Sequence, residues 1–152
     1  PVAPENAWDV FEKEVEGMVN VQFEIGPVPV KAVPQSVAFN ENFGKRWGKD
    51  ARMKLSGHGP GPSYDSVYIM ANAIERAKTV EPDAVVKALE QTDMQGVVGR
   101  IKFEKDHQVT YGFDPKDTAL GCAFQWVKPG KRVVVFPEVV AEGKIELPPY
   151  MK

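Results

Sequence analysis

Three side chains in this chain of 152 residues are of the types that act as nucleophiles or metal ligands: His58, His107 and Cys122. Their separations match no metal-ligand spacing, and a single cysteine excludes an internal disulfide or a multi-cysteine zinc site. They read as surface histidines and a half-buried strand cysteine, with no metal and no catalytic residue assigned. The carboxylates fall in pairs, Glu14 with Glu16 and Glu138 with Glu142. Acid–base catalysis needs two carboxyl groups in environments that drive their pKa values apart, whereas these pairs read as solvated faces. Gly57-His58-Gly59-Pro60-Gly61-Pro62 leads into a helix at Ser63. Backbone N–H groups at such a helix start can cradle an anion, but no Gly-Lys-Ser/Thr follows, so it is not a P-loop. The other reading is an ordinary loop.

The elements that would position these residues follow from periodicity. Ala7, Trp8, Phe11 and Val15 form a helical stripe over Ala3–Val15, with Gly17 as its stop. Met18–Ile25 alternates, which predicts a strand with Val19, Val21, Phe23 and Ile25 on its apolar face. The proline-rich stretch to Pro34 reads as a linker. A helix follows over Gln35–Trp47, through Val37, Phe39, Phe43 and Trp47. The next runs over Ser63–Lys78, with Ser63 as N-cap, Asp65 in its first turn and a core stripe of Val67, Met70, Ala71, Ile74 and Ala77. A third covers Pro82–Gln91 and packs through Val85, Val86 and Leu89. Two hairpins are then predicted. Val98–Phe103 and Val109–Phe113 flank Lys105–Gln108; Leu120–Val127 and Arg132–Phe136 flank a type II turn at Pro129-Gly130. Trp126 is expected to pack.

Composition is that of a globular domain, with 43% hydrophobic and 26% charged residues and a formal net charge of −2. That balance argues against a generally basic nucleic-acid surface, and no apolar run reaches the ~18 residues of a membrane span. Pro1 begins the chain and no methionine precedes Met18, so it reads as a processed or excised piece. A doubly wound sheet needs alternating strands and helices. Here one candidate parallel strand, Val19–Ile25, precedes three helices, so its sheet partners are expected in chain outside this sequence.

The run Tyr64-Asp65-Ser66-Val67-Tyr68, continuing through Ala71–Ala77, resembles the branched-chain amino-acid and amide ABC-transporter substrate-binding proteins, the type I periplasmic binding proteins of the Leu/Ile/Val class. The likeness continues through Asp83–Glu90, Gly96–Phe103, Phe124-Gln125-Trp126, Gly130–Pro137 and Leu147–Met151. Upstream, Val15–Val19 resembles that family's last lobe 2 strand before the chain crosses over.

The resemblance implies an α/β fold: the C-terminal part of a two-lobed type I periplasmic-binding-protein fold, helices first and β-hairpins after. Residues 1–27 would end lobe 2, 28–105 belong to lobe 1, and 106–152 return to lobe 2. It implies solute capture without catalysis or cofactor, by closure of the lobes around an amino acid or small amide. The partner would be an ABC-transporter permease, in the periplasm or lipid-anchored outside a Gram-positive membrane, with a signal peptide in the precursor. The start of the Ser63 helix borders the family's cleft, so Ser63, Tyr64 and Asp65 are the expected ligand contacts, Tyr64 as a plate and Asp65 facing an ammonium group. A sensor domain of the same fold and an amide-hydrolysing enzyme using Cys122 or a carboxylate are the alternatives. Uncovered apolar faces would also favour self-association of the piece.

Overall fold

The computed structural model describes residues 7–22, 29–48, 51, 55 and 59–151. Among the described residues there are four α-helices, and seven strands form two sheets. α1 (Ala7–Phe11) passes into a 3-10 turn (Glu12–Val15), and β1 (Val19–Gln22) follows. α2 (Pro34–Trp47), α3 (Pro60–Ala77) and α4 (Pro82–Leu89) come next. β2 (Asp93–Gly96), β3 (Gly99–Lys102), β4 (Tyr111–Gly112), β5 (Ala119–Leu120), β6 (Cys122–Lys128) and β7 (Lys131–Phe136) complete the strands. None of the described helices is long and apolar enough to cross a membrane.

The first sheet has the order β1-β6-β7, with both pairings antiparallel. This corrects the expectation of a parallel strand: the partner of Val19–Gln22 is the C-terminal β6, reached across the whole helical segment. The alternation is present, but the outward face is not the one expected. Val21 is 69% exposed while Asn20 turns inward. The inner face of the sheet carries Phe124, Trp126 and Val134 and meets two clusters. One joins Val30, Val33, Leu120 and Val140; the other joins Ala7, Val15 and the partly buried Trp8. The predicted positions 1–6 and 23–28 lie outside the described residues.

The β6–β7 hairpin turns at Pro129-Gly130, where Gly130 takes φ +63°, as a type II turn requires. On the opposite face of β6 the buried Gln125 holds the C-terminal tail. Its amide nitrogen donates to the carbonyls of Gly17 and Glu146, each at 2.8 Å, and its oxygen accepts the Glu146 N–H at 3.0 Å. Gly17, at φ +85°, is so close to Pro148 that a β-carbon there would stand 2.7 Å from its Cα. The tail ends in a 3-10 turn, Pro149–Met151.

The second sheet has the order β2-β3-β5-β4. The hairpin expected between 98–103 and 109–113 is reduced to a Phe103–Val109 bridge and the Glu104–Gln108 turn beneath it, where the Glu104 N–H donates to the Gln108 carbonyl at 2.9 Å. The principal antiparallel partner of β3 is β2, through a tight turn at Val97-Val98, and β4 pairs parallel with β5. Gly99 supplies the left-handed residue beside this turn, at φ +102°.

The helices form for local reasons. Pro34 and Pro82 occupy first turns, where their missing N–H costs nothing. The buried Ser36 hydroxyl accepts the Val30 N–H, and the Glu81 carboxylate accepts the Ala84 N–H to cap α4. Arg76 of α3 donates to the Ala88 carbonyl and to Thr92 Oγ1, closing the end of α4.

α3 keeps part of its predicted face, with Ile74 and Ala77 packed against Ala73, Val85 and Ala88, and departs from the rest. It begins at Pro60 with Gly59 at the cap position, so Ser63 already lies inside the helix and is not its N-cap. Asp65, Ile69 and Ala73 point toward the β2–β3 hairpin and α4, whereas Val67 is 68% exposed and Met70 and Ala71 face outward with it. Apolar residues occur on both sides of this helix, the pattern of a helix buried all round, and periodicity alone does not say which side these neighbours take. Trp47 of α2 and Val86 of α4 are likewise exposed, while Ala88 takes the buried place beside Val85.

Candidate functional site

A cleft of about 260 Å³ runs between α2, α3 and the β2–β3 hairpin. Phe39 comes from α2; Tyr64, Asp65 and Tyr68 come from α3; Met94, Gln95 and Gly96 come from β2. Helical spacing brings Tyr64 and Tyr68 together, four residues apart and therefore on one face. Their ring centroids are 4.9 Å apart, the Phe39 ring is 5.1 Å from Tyr64, and Tyr64 Oη donates to Tyr68 Oη at 3.1 Å. That hydrogen bond, aided by partial burial and neighbouring charge, raises the Tyr64 phenol above its ordinary value. Phe39 is buried, whereas the two tyrosines are about half exposed and form an open aromatic wall.

Asp65 lies at the base of this wall, 3% exposed. Its carboxylate accepts the Val97 N–H at 2.9 and 2.8 Å and the Val98 N–H at 3.4 Å, fastening α3 to the β2–β3 turn. Burial raises its pKa; the two backbone bonds oppose the shift without cancelling it. Gly96 is where this contact is closest: a β-carbon there would stand 2.5 Å from Asp65 Oδ2. The carboxylate is therefore directed at backbone amides within the fold.

Of the three expected ligand contacts, Tyr64 and Asp65 reach the cleft and Ser63 does not line it. Ser63 is exposed, with its N–H bonded to the Gly59 carbonyl inside the helix. Of the loop expected to cradle an anion, Gly57 and His58 lie outside the described residues, while Gly59 is the cap position and Pro60–Pro62 the first turn of α3. Phe39, Tyr68 and Gln95 were not singled out as site residues. The four-residue spacing of the tyrosines was the available signal for Tyr68; no local pattern joins Phe39 or Gln95 to them.

His107 is exposed at the tip of the 104–108 turn, with Nε2 3.2 Å from Glu90. Glu142 pairs with Lys31 at 2.7 Å. Among the described residues, no group of three or more His, Cys, Asp or Glu side chains is placed to hold a metal ion. Cys122 is 1% exposed in the core of the first sheet, and burial pushes its thiol up to about 12. A thiol so held supplies almost no thiolate at neutral pH and cannot reach a substrate, which removes it as the nucleophile of an amide-hydrolysing enzyme. Native protein treated with iodoacetamide at neutral pH should therefore label at the rate of global unfolding, and at once in denaturant. Rapid native labelling would refute this.

A family model described as periplasmic binding protein matches residues 12–114. Sixteen chains among the solved structures resemble the fold, two of them as follows. One is assigned to a branched-chain amino acid ABC transporter of Silicibacter pomeroyi, with TM-score 0.75 and 17% identity over 97% of this chain. The other is a leucine binding protein of Thermotoga maritima, with TM-score 0.62 and 18% identity over 86% of this chain. The chain spans 38% and 33% of the length of those two structures. A comparison with curated protein sequences gives no match.

Proposed function

The chain belongs to the periplasmic binding protein family, and from that premise we propose that it forms part of a protein capturing a small solute for ABC import. The observation carrying this reading is the family match across β1, all of α2–α4 and the second sheet as far as β4. The solute is an amino acid of the branched-chain class or a small amide, consistent with the proteins whose structures resemble this one. The complete molecule closes two lobes around it, outside the cytoplasmic membrane, and delivers it to a membrane permease without turnover. In this reading 1–27 and 106–152 belong to lobe 2 and 28–105 to lobe 1. Support comes from strand pairing, since β1 and β6–β7 share one sheet although the helical segment separates them. Against a boundary at 106, β4 and β5 pair with the second sheet, which favours a return to lobe 2 only after Leu120. Tyr64 meets the ligand, with Ser63 and Asp65 at the same end of α3.

A ligand held between two walls makes most of its polar contacts only on closure. The 152-residue chain by itself is thus expected to bind more weakly than micromolar, and to self-associate through Val21, Val67 and Met70. Light scattering combined with calorimetric titration of aliphatic amino acids and amides checks both expectations. A monodisperse monomer with micromolar affinity would overturn the proposal that a second wall is needed. Binding restricted to sugars or nucleotides would overturn the solute class.

A further inference from the structure

The cleft between α2 and α3 carries more information about its ligand than the family does. Among the described residues its one carboxylate, Asp65, is already engaged by the Val97 and Val98 amides, and no Lys, Arg or His lines it. An ammonium group entering here would meet no free countercharge, contrary to the role expected for Asp65. What the cleft offers instead is two half-exposed phenol rings backed by the buried Phe39, with the thioether of Met94 on the hairpin side. At its rim the carboxamides of Gln35 and Asn42 make no hydrogen bond to a described residue, and both are exposed. Aromatic rings favour offset or tilted contact with other planar π-systems, and carboxamides can both donate and accept.

We infer that this wall receives an uncharged planar group, an aromatic ring carrying an amide-like polar substituent, seated against Tyr64 and Tyr68 with the substituent toward Gln35 and Asn42. The assignment rests on the solute-capture reading and narrows it, since a branched aliphatic side chain fills space but cannot use the ring faces. The Tyr64–Tyr68 hydroxyl bond holds the two rings at a fixed tilt, so the wall is formed before the ligand arrives. Any charged end of the solute lies away from this cleft.

The test is a titration of the full chain by protein-observed NMR, a method that reads millimolar affinities. Benzamide is compared with cyclohexanecarboxamide, which has a similar volume and the same amide but no planar ring, and with leucine. Benzamide should bind about tenfold more tightly than cyclohexanecarboxamide and shift the Tyr64 and Tyr68 ring signals most. Tyr68→Leu, at an exposed position, should abolish that preference, and Tyr68→Phe should retain it. Equal or tighter binding of cyclohexanecarboxamide or leucine overturns this assignment while leaving solute capture standing. So does a preference for benzamide that survives in Tyr68→Leu. Binding of none of the three overturns this assignment, which needs only the wall formed by this chain, and leaves capture by the two-lobed molecule standing.

Discussion

Replacing Trp126 by alanine is expected to lower the stability of the fold by about 4 kcal/mol, in the range found for deleting a fully buried large aromatic. The indole is 1% exposed and fills the space between the first sheet and α1. Its ring lies 5.7 Å from that of Trp8, and the Arg132 guanidinium is 4.9 Å from its centre on the neighbouring strand. Ala7 and Val15 are too small to collapse into the space it would leave. Its backbone is engaged as well: the Trp126 N–H donates to the Met18 carbonyl, and the Trp126 carbonyl accepts from Gly17. The cost thus combines lost transfer energy, a cavity and a buried arginine deprived of its aromatic partner. Urea denaturation should show a lower midpoint with an unchanged slope. Trp126→Phe should recover more than half the loss. A deficit below about 1 kcal/mol would mean that α1 does not cover the sheet as described.

The second large effect is expected at Asp65. Asp65→Ala leaves the buried Val97 N–H without an acceptor and breaks the tie between α3 and the hairpin, at a cost of about 3 kcal/mol. Asp65→Asn should be nearly as damaging, because its NH₂ group would face amide donors across part of the contact. The pH dependence has a definite sign. Burial raises the carboxyl pKa above 3.8, so in acid the folded chain retains a proton that the unfolded chain has released. The native state then binds more protons, and stability falls as pH rises through that window. The gap between wild type and Asp65→Ala should be widest below the ordinary carboxylate value and narrow as pH rises through the elevated one. Denaturation midpoints of both proteins from acid to neutral pH check this; a gap widening toward neutrality would contradict it.

Asp65 also shows where sequence reading stops. Its place near the start of a helix fits a dipole role, and its neighbours carry a family resemblance, but its partners are 32 and 33 residues away. Gly96 and Gly99 frame the turn that receives it, and nothing local distinguishes them from glycines in any loop. By contrast, Pro34–Trp47 and Pro82–Leu89 were legible almost to the residue, because a periodic apolar stripe is a local signal and Pro82 marks a first turn, whereas Pro34 read as the end of the linker. The Pro129-Gly130 turn was legible for the same reason. Periodicity told that β1 and α3 each carry apolar faces, without telling what covers them, and Val21, Val67 and Met70 are exposed here. Tyr64 was legible as a site residue; the ring beside it and the Phe39 behind it depend on how α2 crosses α3.

Gln125 joins three stretches of backbone through one side chain, and two of them are distant in the chain: Gly17 is 108 residues away and Glu146 is 21. β1 likewise finds β6 only after the helices have been made. During synthesis, therefore, α3, α4 and the β2–β3 hairpin find their partners soon after they emerge, while β1 must wait until β6 has been made. The first sheet is a late, long-range closure, and the second a local one. Until β6 has emerged the edge of β1 has no partner in this sheet, and until residue 146 is available the Gln125 amide has no tail to hold. Over that interval the nascent chain has most to gain from a chaperone.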